Sequence, residues 1–207
     1  MRTRVRMWLI ACAAIAALLV IAGNGAARRW SFEGQTFRVV WNPMNFRPAI
    51  GTVIRCRVTL GGSFVERDMA KVTGSTIGRI NEASIEGCVE GEGEMRFLAE
   101  RLPWTLKYQS FTGILPNIQQ ILTTFGAMEF RWRTGLFSTC LFPGNEVPVA
   151  FVFGWEALGR ERDLVRANLS EAITLNSSDC AGVSLRVGGV GTPTYRGSVQ
   201  AIRVFLI

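Results

Sequence analysis

The chain is predicted to be all-β, an antiparallel β-sandwich or barrel-like fold with two disulfides, placed after an N-terminal signal helix. Three observations predict this. Apolar and polar residues alternate with period two over much of the sequence, glycine-rich turns separate the alternating runs, and four cysteines follow an export signal.

The signal comes first. Arg2, Arg4 and Arg6 precede a stretch from Met7 to Ala27 that carries no charge, and Asn24, Gly25, Ala26 and Ala27 supply the small-residue exit that signal peptidase requires. Cleavage is expected after Ala27, which makes residues 1–27 a signal peptide and residues 28–207 one exported β domain. The alternative is a retained membrane anchor over residues 7–27, since a spanning helix needs about 20 apolar residues. Leu9, Ile10, Ala11 and Cys12 have the form of a lipobox. About ten apolar residues follow Cys12, however, so cutting there would leave most of the hydrophobic segment on the product, and Cys12 reads as a small apolar filler.

The alternating runs follow. Ile54, Cys56, Val58 and Leu60 alternate with Arg55, Arg57 and Thr59. The same pattern recurs at Met95, Phe97 and Ala99, at Trp104, Leu106 and Tyr108, and at Met128, Phe130 and Trp132. Further strands are expected at residues 37–41, 135–142, 149–155, 181–187 and 199–207. Gly61-Gly62, Gly113, Pro143-Gly144-Asn145 and the run Gly188 to Gly191 are read as the turns between them. Two segments have helical spacing, and a short helix is allowed in each: Ile118, Ile121, Leu122 and Phe125 after Pro116, and residues 156–172 with Leu158, Val165 and Leu169.

Cys56, Cys88, Cys140 and Cys180 allow three pairings, of which Cys56 with Cys88 and Cys140 with Cys180 is the expected one. Their spacing is not that of metal or redox motifs, so they are read as structural.

Composition narrows the chemistry. The chain has a net charge of +7, but the signal holds three of its 23 basic residues and none of its 16 acids, so the exported part carries +4. Its cations are scattered, with no dense basic run for nucleic acid. There is no histidine, which removes Ser-His-Asp and Cys-His catalysis and histidine-based metal sites. No cofactor or metal is expected. Carboxylates, Tyr108, Tyr195, Lys71 and Lys107 remain as reactive groups. Glu90, Glu92 and Glu94 form the string EGEGE, which as a strand would align three carboxylates on one face for calcium or for acid/base work. Glycines between charges favour a solvated hairpin tip instead. The run Gly188 to Gly191 lacks the following helix that a phosphate cradle needs.

Trp41, Trp104, Trp132 and Trp155 are the candidate ligand platform, because flat rings exposed on one sheet face stack on sugars. All four fall on the apolar parity of their strands, and burial is the stronger expectation. Trp30 is the exception, placed against the membrane interface if the anchor is retained.

A resemblance rests on Cys56-Arg57-Val58-Thr59-Leu60-Gly61-Gly62-Ser63-Phe64, on Leu102-Pro103-Trp104, on Phe111-Thr112-Gly113-Ile114-Leu115-Pro116-Asn117-Ile118, and on the ending Ile202-Arg203-Val204-Phe205-Leu206-Ile207. With these motifs the chain resembles uncharacterised exported β-rich proteins of actinobacteria. More distantly it is similar to exported activators of alkane oxidation. The resemblance implies an exported β-rich fold and brings no catalytic residue with it; residues 156–176 depart most from the pattern.

The functional expectation is therefore an exported, non-enzymatic envelope or extracellular protein with a binding or structural role, meeting a cell-surface, glycan or lipid partner. It would touch the membrane if the N-terminal segment is retained. The alternative is a histidine-free hydrolase that uses two carboxylates on polysaccharide, drawn from Glu90, Glu92, Glu94, Glu100 and Glu129.

Overall fold

The computed structural model describes residues 29–114, 117–133, 139–154 and 161–206. The signal helix, Trp155 and parts of the segments expected at 135–142 and 156–172 lie outside them. The described chain is all-β, with one 3₁₀ turn at Ala99–Arg101. Its strands are β1 (Arg29–Phe32), β2 (Thr36–Pro48), β3 (Ile54–Phe64), β4 (Asp68–Ala70), β5 (Thr76–Val89), β6 (Glu94–Phe97) and β7 (Trp104–Ile114). They continue with β8 (Asn117–Gly126), β9 (Met128–Arg133), β10 (Thr139–Gly144), β11 (Val147–Phe153), β12 (Glu161–Asn176), β13 (Ser184–Tyr195) and β14 (Ile202–Leu206).

Eight strands close a ring. β2, β3, β5, β7, β8, β11, β12 and β13 pair in that order, each antiparallel to the next, and β13 returns to β2. Because the order around the ring is the order along the chain, this is an up-and-down barrel, an architecture that closes the sheet on itself. The other strands are excursions from it. β14, β1 and β4 extend the sheet from β12, while β6, β9 and β10 form a separate three-stranded sheet.

The alternation seen in the sequence becomes the barrel interior. Phe37, Val39 and Trp41 of β2 and Val58 and Leu60 of β3 are buried, with their neighbours outward. One core unites the barrel with its excursions. Phe32 stacks on Phe64 at 4.0 Å between ring centroids, and Phe46 and Phe97 meet Phe130 of the small sheet at 5.5 and 5.0 Å.

Several local expectations are corrected. Gly61-Gly62 and Gly188 to Gly191 are not turns; they lie inside β3 and β13. Trp41, Gly191 and Ala167 are neighbours across β2, β13 and β12, and the Trp41 indole lies along this row. A Cβ on Gly191 would stand 2.7 Å from the ring, whose Nε1 donates to the Ala167 carbonyl at 3.0 Å. Phe37 lies over Gly62 in the same way, 2.7 Å from where a Cβ would be. Absent side chains make room for rings.

The described parts of the two segments with helical spacing are strands β8 and β12. In β8 the register shifts near Thr112 and Gly113 of β7, so Ile118 and Ile121, three residues apart, are both buried. In β12 a shift beside Val152 and Phe153 does the same for Leu164 and Ala167. A bulge adds one residue and turns a period of two into a step of three. Another carries β2 past Pro43, with Trp41 and Met44 both buried, so this strand runs beyond the expected residue 41. Ala99 belongs to the 3₁₀ turn instead of extending β6, and β14 begins at Ile202.

Candidate functional site

Both disulfides join the expected partners, Cys56 with Cys88 and Cys140 with Cys180, at sequence separations of 32 and 40. The first ties β5 to its neighbour β3. The second fastens β10 to the segment after β12, where the Ser178 N–H also donates to the Leu141 carbonyl at 2.9 Å. Such bonds are consistent with an extracytoplasmic location. Among the described residues no helix is long and apolar enough to cross a membrane.

Asp179 completes the second fastening. Its Oδ1 accepts from the Leu141 N–H at 2.7 Å and from the Ser177 hydroxyl at 3.0 Å. The Leu141 bond is the main cause holding this carboxyl below its ordinary value of 3.8. A lowered folded-state pKa contributes stability above the unfolded value and loses it as pH falls through the folded one. Asp179→Asn is therefore expected to melt below the wild type at pH 6, with the gap narrowing below pH 3.8, as thermal melts across pH would record.

The tryptophans form no exposed platform among the described residues. Trp41 and Trp104 are fully buried, Trp132 is 7% exposed, and Trp30, expected at a membrane interface, lies in the core against Tyr108, Phe111 and Phe153. Lys71 sits 4.4 Å over the Trp30 ring, and its burial lowers its pKa. Burial raises Tyr108, and Tyr195 is held by hydrogen bonds with the backbone of Arg203. Lys107 faces Glu146 at 3.9 Å.

Four of the five candidate acids have cationic neighbours, three of them on the surface and Glu129 partly buried. Glu90 meets Arg55 at 2.9 Å, Glu94 pairs with Arg96, Glu100 meets Arg131 at 3.6 Å, and Glu129 meets Arg101 at 3.4 Å. Glu90 to Gly93 form a turn and not a strand, and Glu94 opens β6. Glu90, Gly91 and Gly93 have φ of 60°, 75° and 96°, a left-handed backbone in which glycine is favoured. A Cβ on Gly93 would stand 2.4 Å from the Arg133 carbonyl, and the Trp132 Nε1 donates to the Glu92 carbonyl at 3.0 Å. This turn joins no hairpin: it carries the chain out of the barrel wall into the small sheet.

That departure leaves a gap which the sequence did not reveal. β5 pairs with β3 from Gly78 to Val89, but on its other edge it meets β7 only from Thr76 to Ile80. β6 pairs with β9 alone. Among the described residues, the facing edges of β5 beyond Ile80 and of β6 therefore lack a strand partner. Between them runs an open groove of about 520 Å³ lined by Ala83, Ser84, Ile85, Glu86, Gly87 and Cys88 and by Glu94, Met95, Arg96 and Phe97. A second concavity of about 460 Å³ shares Ala83 and Ser84 and continues over the outer barrel face to Arg38, Thr59 and the Glu82–Arg196 ion pair. By contrast, the apolar void inside the barrel near Phe32, Phe37 and Phe64 measures about 20 Å³, room for about one water and none for an acyl chain. No family model, curated protein or solved structure matches the chain.

Proposed function

We propose that the protein is an exported, non-enzymatic envelope or extracellular module that binds its partner on the outside of a rigid barrel. It is secreted after cleavage behind Ala27, with anchoring by residues 7–27 as the alternative. The observation that carries this reading is the filling of the barrel by its own rings, Trp41 and Phe37 above all, while open concave surface lies outside along β5. A carboxylate hydrolase needs two acids about 5 to 9 Å apart across a cleft. Here Glu90, Glu94, Glu100 and Glu129 each face an arginine, an arrangement that offers such a mechanism no support.

The mature protein is expected to bind saturably to isolated cell envelopes, glycan arrays or lipid vesicles, and to release no reducing ends from a polysaccharide panel. Hydrolysis lost on substitution of a single glutamate by glutamine would overturn the reading.

A further inference from the structure

We infer that the hairpin of β7 and β8, with the adjoining end of β11, is a lipid-bilayer contact that enters the membrane interface tip first. This rests on the exported-module reading and gives it a lipid partner on a face other than the concave surface along β5.

The hairpin is uncharged. Charged residues make up 19% of the chain, yet residues 108–128 and 147–155 contain none. The fold sets these stretches side by side, because β8 pairs with β7 on one edge and with β11 on the other. Phe111, Ile121 and Phe151 turn toward the core, so the rows beside them on the outer wall read Thr112, Gln120 and Val152, then Ser110, Leu122 and Ala150. The first ion pair, Lys107 with Glu146, comes only below these rows. At the tip Ile114 is 83% exposed, and Val72, 59% exposed, stands beside β7 in a connection whose Gly74 N–H donates to the Tyr108 carbonyl at 2.7 Å. Charge is what makes entry into a bilayer costly, and burial of an exposed isoleucine favours it.

The place where the N-terminal segment joins selects the occupant. The uncharged residues 7–27 end two residues before Arg29, at most about 7 Å of extended chain away. β1 runs inward from Arg29, so the preceding residues leave at the end of the barrel where Trp30 meets Phe111 and Phe153, each at 6.3 Å between ring centroids. Ile114 lies three residues past Phe111, about 10 Å further out at about 3.3 Å per residue. A bilayer that holds residues 7–27 is therefore met by the hairpin tip, and a chain cut behind Ala27 keeps the same end. Arg162 braces the hairpin just behind its tip, donating to the Ile118 carbonyl at 3.1 Å and to Asn117 Oδ1 at 2.8 Å. That places a cation at headgroup height with the apolar tip beyond it. Interfacial elements sink about 5 to 10 Å, the reach of the tip and the first row. Because β8 has a strand on each edge, no guest strand can add to it; the contact is made by the tip and the outer wall.

The probes are phosphatidylcholine vesicles, alone and mixed with phosphatidylglycerol, offered to the mature protein in flotation assays. The wild type is expected to float with both and to stay bound in about 1 M salt, where charges are screened within about 3 Å. Ile114→Asp should bind at least about tenfold more weakly with an unchanged melting temperature. Ile50→Asp is the control, a change at a residue 70% exposed in the β2–β3 connection at the other end of the barrel, and should bind as the wild type does. Ile114→Trp, on vesicles whose acyl chains are brominated near the headgroup, should lose more fluorescence than the wild type. No flotation, equal losses from Ile50→Asp and Ile114→Asp, release by salt, or no added quenching would overturn the proposal. So would self-association without lipid that Ile114→Asp abolishes, since the face would then belong to a second copy. Absent flotation with glycan binding intact removes the lipid contact alone, whereas polysaccharide hydrolysis removes the module reading and leaves the flotation result standing.

Discussion

Trp41→Ala should cost about 3 to 5 kcal/mol, the range for emptying a large buried aromatic position. The loss includes the hydrogen bond from Nε1, which leaves the Ala167 carbonyl without that donor. Gly191→Ala approaches the same spot from the other side. Its methyl would stand 2.7 to 2.8 Å from three indole atoms, and overpacking of this kind typically costs about 1 to 3 kcal/mol. Because the two residues share one space, the double variant should lose less than the two single losses together, as the vacated ring volume takes the methyl. Urea denaturation followed by circular dichroism measures all three. A neutral Gly191→Ala would mean that the ring does not lie over this strand.

Removing the Cys140–Cys180 bond by a double serine substitution should cost about 4 kcal/mol by the chain-entropy estimate for a loop of 40 residues. For a domain of this size that corresponds to roughly 8 to 16 °C in melting temperature. The effect should be felt first where β10 meets the segment after β12, because there the bond works beside the Leu141, Ser178 and Asp179 contacts. Differential scanning calorimetry of the variant against the oxidised wild type gives the number. An unchanged midpoint would mean that these contacts hold the small sheet without the bond.

The strand segments best foretold by the sequence are those with a regular pleat. β3, β7 and β9 announce themselves through Val58 and Leu60, Leu106 and Tyr108, and Phe130 and Trp132, since the alternation is regular through those residues. β8 reads as helical because an extra residue puts Ile118 with Ile121 on one face; in β12 Val165 is exposed while Leu169 is buried, so the helical face expected from them does not exist. Thr123 hides the rest of the pattern in β8, being buried with its hydroxyl donating to the Val149 carbonyl at 3.2 Å. Gly62 and Gly191 read as turn residues because a residue type that favours turns is also the one that leaves space, and only Phe37 and Trp41 reveal which use applies. The disulfide pairing joins each cysteine to its neighbour in sequence order, as the spacing led one to expect. The groove was not, because it arises where β6 leaves β5 to pair with β9, a choice between sheets that no local pattern records.

The Cys56–Cys88 bond also decides what happens if the exposed chain between its ends is cut. The connection from Phe64 to Thr76 lies in that interval with Arg67 and Lys71, and so does the open edge of β5. A protease that nicked it would produce two fragments still joined covalently, with β3 and β5 pairing as before on either side of the break. Cleavage there damages the backbone without releasing a piece, and the barrel would be inherited intact by a two-chain molecule.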